Sequence, residues 1–142
     1  MIAIDSQAFD AEISRIIGTP YEICGSDLSG MDCSGLVKYV YALRGIELTN
    51  TLFSSSVYCH RMIAREFKAE LASGRWLKVD SPTHGGLVGM GNSRVVNHCG
   101  IWLNGGQILH ATGGVGAAMQ TAQSLKTQRA YTFRFYKWQP ST

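Results

Sequence analysis

"GMDCSGLVKYVYALRG", residues 30–45, decides how the rest of the chain is read. Leu36, Val37, Val40, Tyr41 and Leu43 recur at helical spacing, which predicts a central, largely buried helix over residues 33–44. Gly45 is well placed to stop it. Cys33 falls on its first turn, where unsatisfied N–H groups and the helix dipole favour thiolate over thiol. A cysteine in mid-helix would read as packing; one here reads as a candidate nucleophile. The rest of the chain must then supply a base and a group to orient that base.

Working outward, residues 6–17 carry Phe9, Ile13, Ile16 and Ile17 in an amphipathic helical pattern. "GTPYEICGSDLSG" (18–30) reads as a loop. A third helix is expected over 54–72, with Val57, Met62 or Ile63, Phe67 and Leu71 on its apolar face and Ser54 to Ser56 as N-caps. After Gly74 the period changes. "RWLKVD", "GLVGMG", "VVNHCGIWL", "QILHAT", "AAMQT" and "YTFRFYKW" are short runs separated by turn residues, and they read as strands. "NGG" at 104–106 predicts a hairpin, and "SLKTQ" (124–128) one helical turn. Helices followed by a mostly antiparallel sheet make an α+β fold, expected as a single domain over 1–142.

Composition narrows the function. With 45% hydrophobic and 16% charged residues, the 142-residue chain has a core to bury and is no disordered tail. A net charge of +3 without a Lys/Arg cluster argues against nucleic acid as a partner. No apolar run approaches a membrane span, so no membrane insertion is expected. The N-terminus lacks the basic start and long apolar core of a signal peptide, which predicts synthesis in the cytoplasm. Without such a segment, the four cysteines are expected as free thiols. No CxxC pair is present, so neither a metal nor another cofactor is expected.

The base and its orienter come from the sheet half. His98 lies six residues before Asn104, and His110 four after Gly106. A slightly longer or bulged loop would set the two imidazoles side by side on one face of adjacent strands. The bland alternative for any single histidine is a satisfied core residue, and for a single cysteine a small buried hydrophobe. That alternative is kept for Cys24, Cys59 and Cys99. Cys99 alternates away from His98 and is expected on the opposite side of the sheet. His60 and His84 read as surface residues. For Cys33, His98 and His110 together it weakens, because nucleophile, base and orienter are all present.

"GMDCSGLVKYVYALRGIEL" followed by "NHCGIWLNGGQILHA" resembles the NlpC-type cell-wall cysteine peptidases, and "TPYEICGSDLSG" resembles their Pro-Tyr-x-x-Gly segment. The resemblance spans about residues 18–112 and, more loosely, the last strand. It implies a papain-like fold, with Cys33 as nucleophile, His98 as general base and His110 as the residue that orients it. It also places Tyr21 near the oxyanion site, with the Cys33 backbone N–H as a second donor. Asp32 and Ser34 flank the nucleophile and are expected to touch the substrate's peptide stem, or, for Asp32, to cap the helix. One departure is Gly86, where the family often has Asp; it puts the local turn in question rather than the chemistry.

The implied reaction is hydrolysis of an amide in peptidoglycan stem peptides, often between D-glutamate and a diamino acid. The order Cys…His…His sets the chain apart from the permuted acyltransferases, whose histidine precedes the cysteine. An N-acetylmuramoyl-L-alanine amidase and an exported toxin are alternatives of the same chemistry. A phage tail-assembly protein with a vestigial or partner-dependent site is one of another class. Action at the cell wall then calls for delivery by a phage or prophage tail or by a secretion system, whose proteins would be partners.

Overall fold

A computed structural model describes residues 5–48 and 60–139. Helix α1 (Ser6–Ile16) is capped by Asp5, which accepts from the Ala8 N–H at 2.8 Å, and it buries Phe9, Ile13 and Ile16. The following loop holds a short antiparallel ribbon, β1 (Ser26–Asp27) and β2 (Gly30–Met31), where composition predicts only irregular chain. Helix α2 (Cys33–Leu43) starts two residues after Met31 and stops at Gly45, which has a φ of 77°. Helix α3 is described over His60–Leu71, within the expected 54–72. The proposed caps Ser54 to Ser56, together with Val57 and Cys59, lie outside the described residues.

Six strands form one sheet: β3 (Trp76–Val79), β4 (Leu87–Gly91), β5 (Val96–Leu103), β6 (Gln107–Thr112), β7 (Gly116–Thr121) and β8 (Thr132–Trp138). Their order is β3-β8-β4-β5-β6-β7, and every pairing is antiparallel. The α+β expectation therefore holds. The expected single turn at 124–128 is longer: α4 (Ala122–Arg129) runs for two turns. The Thr121 hydroxyl caps it by accepting from the Ser124 N–H at 3.0 Å, and its Leu125 is fully buried. A cap and one anchoring side chain extend a segment whose own sequence is polar.

The sheet separates two apolar layers. Leu87, Cys99, Ile101, Leu109 and Ala111 pack with Phe9 and Ile16 of α1 and with Leu36, Val37 and Val40 of α2. On the other face Val88, Met90 and Ile108 pack with Leu125, flanked by Trp102, Phe133 and Phe135. So the helices do not all lie on one side, because α4 covers the second face. Leu36, Val37 and Val40 have no exposed surface. At about 1.5–3 kcal/mol for each fully buried aliphatic side chain, these three alone hold α2 firmly against the sheet. The buried Glu70 ties α3 to β3, accepting from Trp76 Nε1 at 2.7 Å and pairing with Arg75 at 2.8 Å.

Candidate active site

The N-terminus of α2 is built by its own sequence. Asp32 has an extended backbone and caps the helix, its Oδ1 accepting from the Gly35 N–H at 2.7 Å and the Ser34 hydroxyl at 3.2 Å. Its Oδ2 accepts from the Cys24 N–H at 2.8 Å, which fixes the preceding loop. Both Asp32 and Ser34 are buried, so of the two roles open to Asp32, its bonds are those of a cap. Gly35 admits this close approach, because a Cβ there would run into the Gly25 carbonyl oxygen. Burial raises the Asp32 pKa, against the pull of the Gly35 and Cys24 N–H groups.

Cys33, 5% exposed, lies against β5. Cys99 and His98 are the neighbours on β5 that act on its thiol. The contact with Cys99 is the largest influence lowering the Cys33 pKa. Burial opposes it, and His98 adds to it as a hydrogen-bond partner and as a charge; the net effect is well below the usual thiol value. Cys99 moves the other way, raised by Cys33 and by burial.

The β5–β6 ladder sets where Cys99 and His98 fall. Its pairs are Leu103↔Gln107, Trp102↔Ile108 and Ile101↔Leu109, and it ends there. Beyond Ile101 β6 still lies alongside, since a Cβ on Gly100 would come 2.7 Å from the Leu109 carbonyl oxygen. Alternation still holds: Cys99 belongs to the layer beneath α2, whereas His98 stacks on Tyr131, with ring centroids 6.0 Å apart. The expectation that Cys99 is a small buried residue is met: it has no exposed surface and belongs to the core cluster that also holds Cys33. Cys24 departs from that expectation, for it is exposed, with a φ of 68°. The sharp loop that serves Asp32 turns its side chain outward.

His98 and His110 come together without a bulged or lengthened loop. Asn104 to Gly106 close the hairpin directly, and continuing the register places His98 and His110 two residues apart on a diagonal. Their Nε2 and Nδ1 atoms are 2.8 Å apart, within the diagonal reach of aromatic side chains. Gly100 faces His110; a Cβ on it would lie 2.7 Å from the Leu109 carbonyl oxygen and 3.0 Å from the His110 Cβ. His110 Nε2 in turn lies 2.7 Å from Gln120 Oε1 on β7. Burial, aided by the neighbouring His98, lowers the His110 pKa to about 4, so this ring is neutral at physiological pH.

Tyr21 is joined to the same site by backbone. It forms a bridge with Met31, and the Met31 N–H donates to the Pro20 carbonyl at 3.0 Å. Desolvation, then the proximity of Cys33, raises the Tyr21 pKa, so the phenol keeps its proton and can donate. Gly86 lies away from this cluster, opposite Trp102, where its N–H donates to the Thr83 carbonyl at 2.8 Å. That turn closes without the family's acid. His84, at the surface as expected, lies 2.9 Å from Asp10. Among the described residues no three His, Cys, Asp or Glu side chains gather as a metal would require.

A sequence profile of the NlpC/P60 family matches residues 18–134. The chain belongs to the NlpC/P60 family. It is thus a cysteine-peptidase domain, on the papain-like α+β fold. Protein P54 of Enterococcus faecium is 32% identical over 109 residues, covering 77% of this chain; the chain spans 18% of the length of P54. The NlpC/P60 domain of the peptidoglycan hydrolase SagA is 28% identical, with a TM-score of 0.62 over 93% of this chain and 98% of that domain. An NlpC/P60 protein from Bacillus cereus is 15% identical with a TM-score of 0.67, over 97% of this chain and 41% of the other, a likeness of fold.

Sequence reasoning found Cys33, His98, His110, Tyr21, Asp32 and Ser34, and all six belong to this cluster. It did not single out Cys99 as a neighbour of Cys33, Gly100 as the space for His110, or Gln120. Gln120 had a readable sign, being one of the two polar residues of "AAMQT", a strand one hairpin beyond His110.

Proposed function

We propose that this NlpC/P60 domain hydrolyses amide bonds in peptidoglycan stem peptides, cleaving between D-glutamate and the diamino acid. The observation that carries the chemistry is a capped helix N-terminus that puts Cys33 beside His98, whose Nε2 engages His110. The Cys33 thiolate attacks the carbonyl carbon, forming the S–C bond as the π pair moves to oxygen. The Tyr21 phenol and the Cys33 N–H stabilise that oxyanion. His98 as imidazolium gives its proton to the leaving amine, and the C–N bond breaks. Neutral His98 then takes a proton from water as the water attacks the thioester, and the acid product leaves with Cys33 restored. Asp32 and Ser34 serve by holding the helix end.

The substrate class rests on the family and on the SagA domain, which is that of a peptidoglycan hydrolase. The scissile bond rests on the motif resemblance, and association with a phage tail on sequence layout alone. Digestion of isolated sacculi by the protein, with Cys33→Ala as the blank, tests the reading. New amine ends on the diamino acid are expected. New L-alanine ends with freed lactyl groups would make it an amidase, and no release from sacculi or soluble stem peptides would overturn hydrolysis.

A further inference from the structure

Three strands carry one polar line. His98 on β5, His110 on β6 and Gln120 on β7 lie on the same face of the sheet, each displaced two residues from the position directly across the ladder. His110 pairs with Ala118, and Gln120 with Ile108. The links are 2.8 Å from His98 to His110 and 2.7 Å from His110 to Gln120. From the geometry we infer that Gln120 is a positioning residue, setting the tautomers of both histidines so that His98 presents a proton-accepting nitrogen to Cys33. This inference rests on Cys33 and His98 being the reacting pair.

Hydrogen counting carries the argument. A neutral imidazole has one N–H and one lone pair, and an amide oxygen can only accept. Gln120 Oε1 therefore requires the proton of His110 on Nε2 and leaves Nδ1 as an acceptor. His98 must then donate from Nε2, which leaves Nδ1 with a free lone pair to take the proton of Cys33. Reversing any link puts a proton on His98 Nδ1 in the neutral ring, which then cannot accept one from the thiol. The scheme needs His110 neutral, and its pKa of about 4 meets that need. The charged or titratable groups around His110 are His98 of β5, Arg129 of α4 and Cys33 of α2. The first two oppose a positive charge on it. A second imidazole alone would hold His98 in place, but only an acceptor beyond it fixes which way the protons point.

The test uses the full chain with Gln120→Leu, which removes the acceptor, and Gln120→Glu, which keeps it. Gln120 is half-buried on an edge strand, and thermal melts check that both variants fold. Long-range proton–nitrogen spectra should show His110 protonated on Nε2 in the parent and in Gln120→Glu, and a mixture in Gln120→Leu. Alkylation of Cys33 by iodoacetamide at neutral pH should slow about tenfold in Gln120→Leu, as for one lost hydrogen bond, and recover in Gln120→Glu. A parent His110 protonated on Nδ1, or a Gln120→Leu variant with unchanged tautomer and alkylation profile, overturns the inference. His98→Ala separates the two levels. An unchanged Cys33 profile there overturns the reacting pair itself, and this inference with it. A changed profile there with an unchanged one in Gln120→Leu overturns Gln120 alone.

Discussion

His98 Nε2 lies 2.8 Å from His110 Nδ1 across a diagonal of the β5–β6 ladder, and Gly100 faces His110. The pair thus depends on strand register and on a missing side chain as much as on the histidines. Gly100→Ala would press on the Leu109 carbonyl and the His110 Cβ, at 2.7 and 3.0 Å. Loss of about 1–3 kcal/mol of stability is expected from overpacking, with a larger fractional loss of hydrolysis than the melting shift explains. Activity equal to the parent would show that the strands part at no cost to the site.

The two histidines should not be equivalent. His98→Ala is expected to remove nearly all turnover, since general acid–base help is typically worth about 10²–10⁴-fold. His110→Asn and His110→Gln should keep more, because an amide oxygen can still accept from His98 Nε2. Equal, total loss in folded variants of both would mean that His110 itself transfers a proton.

Cys33 should be alkylated first at neutral pH, ahead of the exposed Cys24, because thiolate character outweighs exposure. Peptide mapping by mass spectrometry after one equivalent of reagent checks the order. Cys99→Ala should raise the Cys33 pKa, since the Cys99 contact is its largest lowering influence. The alkylation profile then moves to higher pH and the neutral-pH rate falls. A profile that stays in place or moves to lower pH would exclude Cys99 as a donor to the thiolate.

His110 also makes stability depend on pH. Its folded pKa, about 4, is below the ordinary histidine value of 6.5. Between those values the unfolded chain binds a proton that the folded chain does not, so stability falls as pH falls through that window. The full effect is on the order of 3 kcal/mol, complete below about pH 4. Melting of His110→Gln should therefore drop less between pH 6.5 and 4 than melting of the parent. Parallel curves would mean that His110 titrates normally.

The sequence by itself determined the local pieces. Helical spacing and an Asp before Cys33 set a capped α2 with a thiol on its first turn. Alternation and Gly-rich turns set the strands that carry His98 and His110. These are short-range effects, decided by residues within a few positions of one another. What the tertiary structure alone decided is how those pieces meet. The diagonal offset of the histidines follows from the tight hairpin at Asn104 to Gly106 together with packing on both faces of the sheet. The proximity of Cys33 to Cys99 follows from the packing of α2 on the sheet, which buries both in one core cluster. Gln120 gains its place only because β7 pairs with β6 in one register, and α4 its length from burying Leu125. Packing and burial are set by residues far apart in the chain, so no local spacing encodes them.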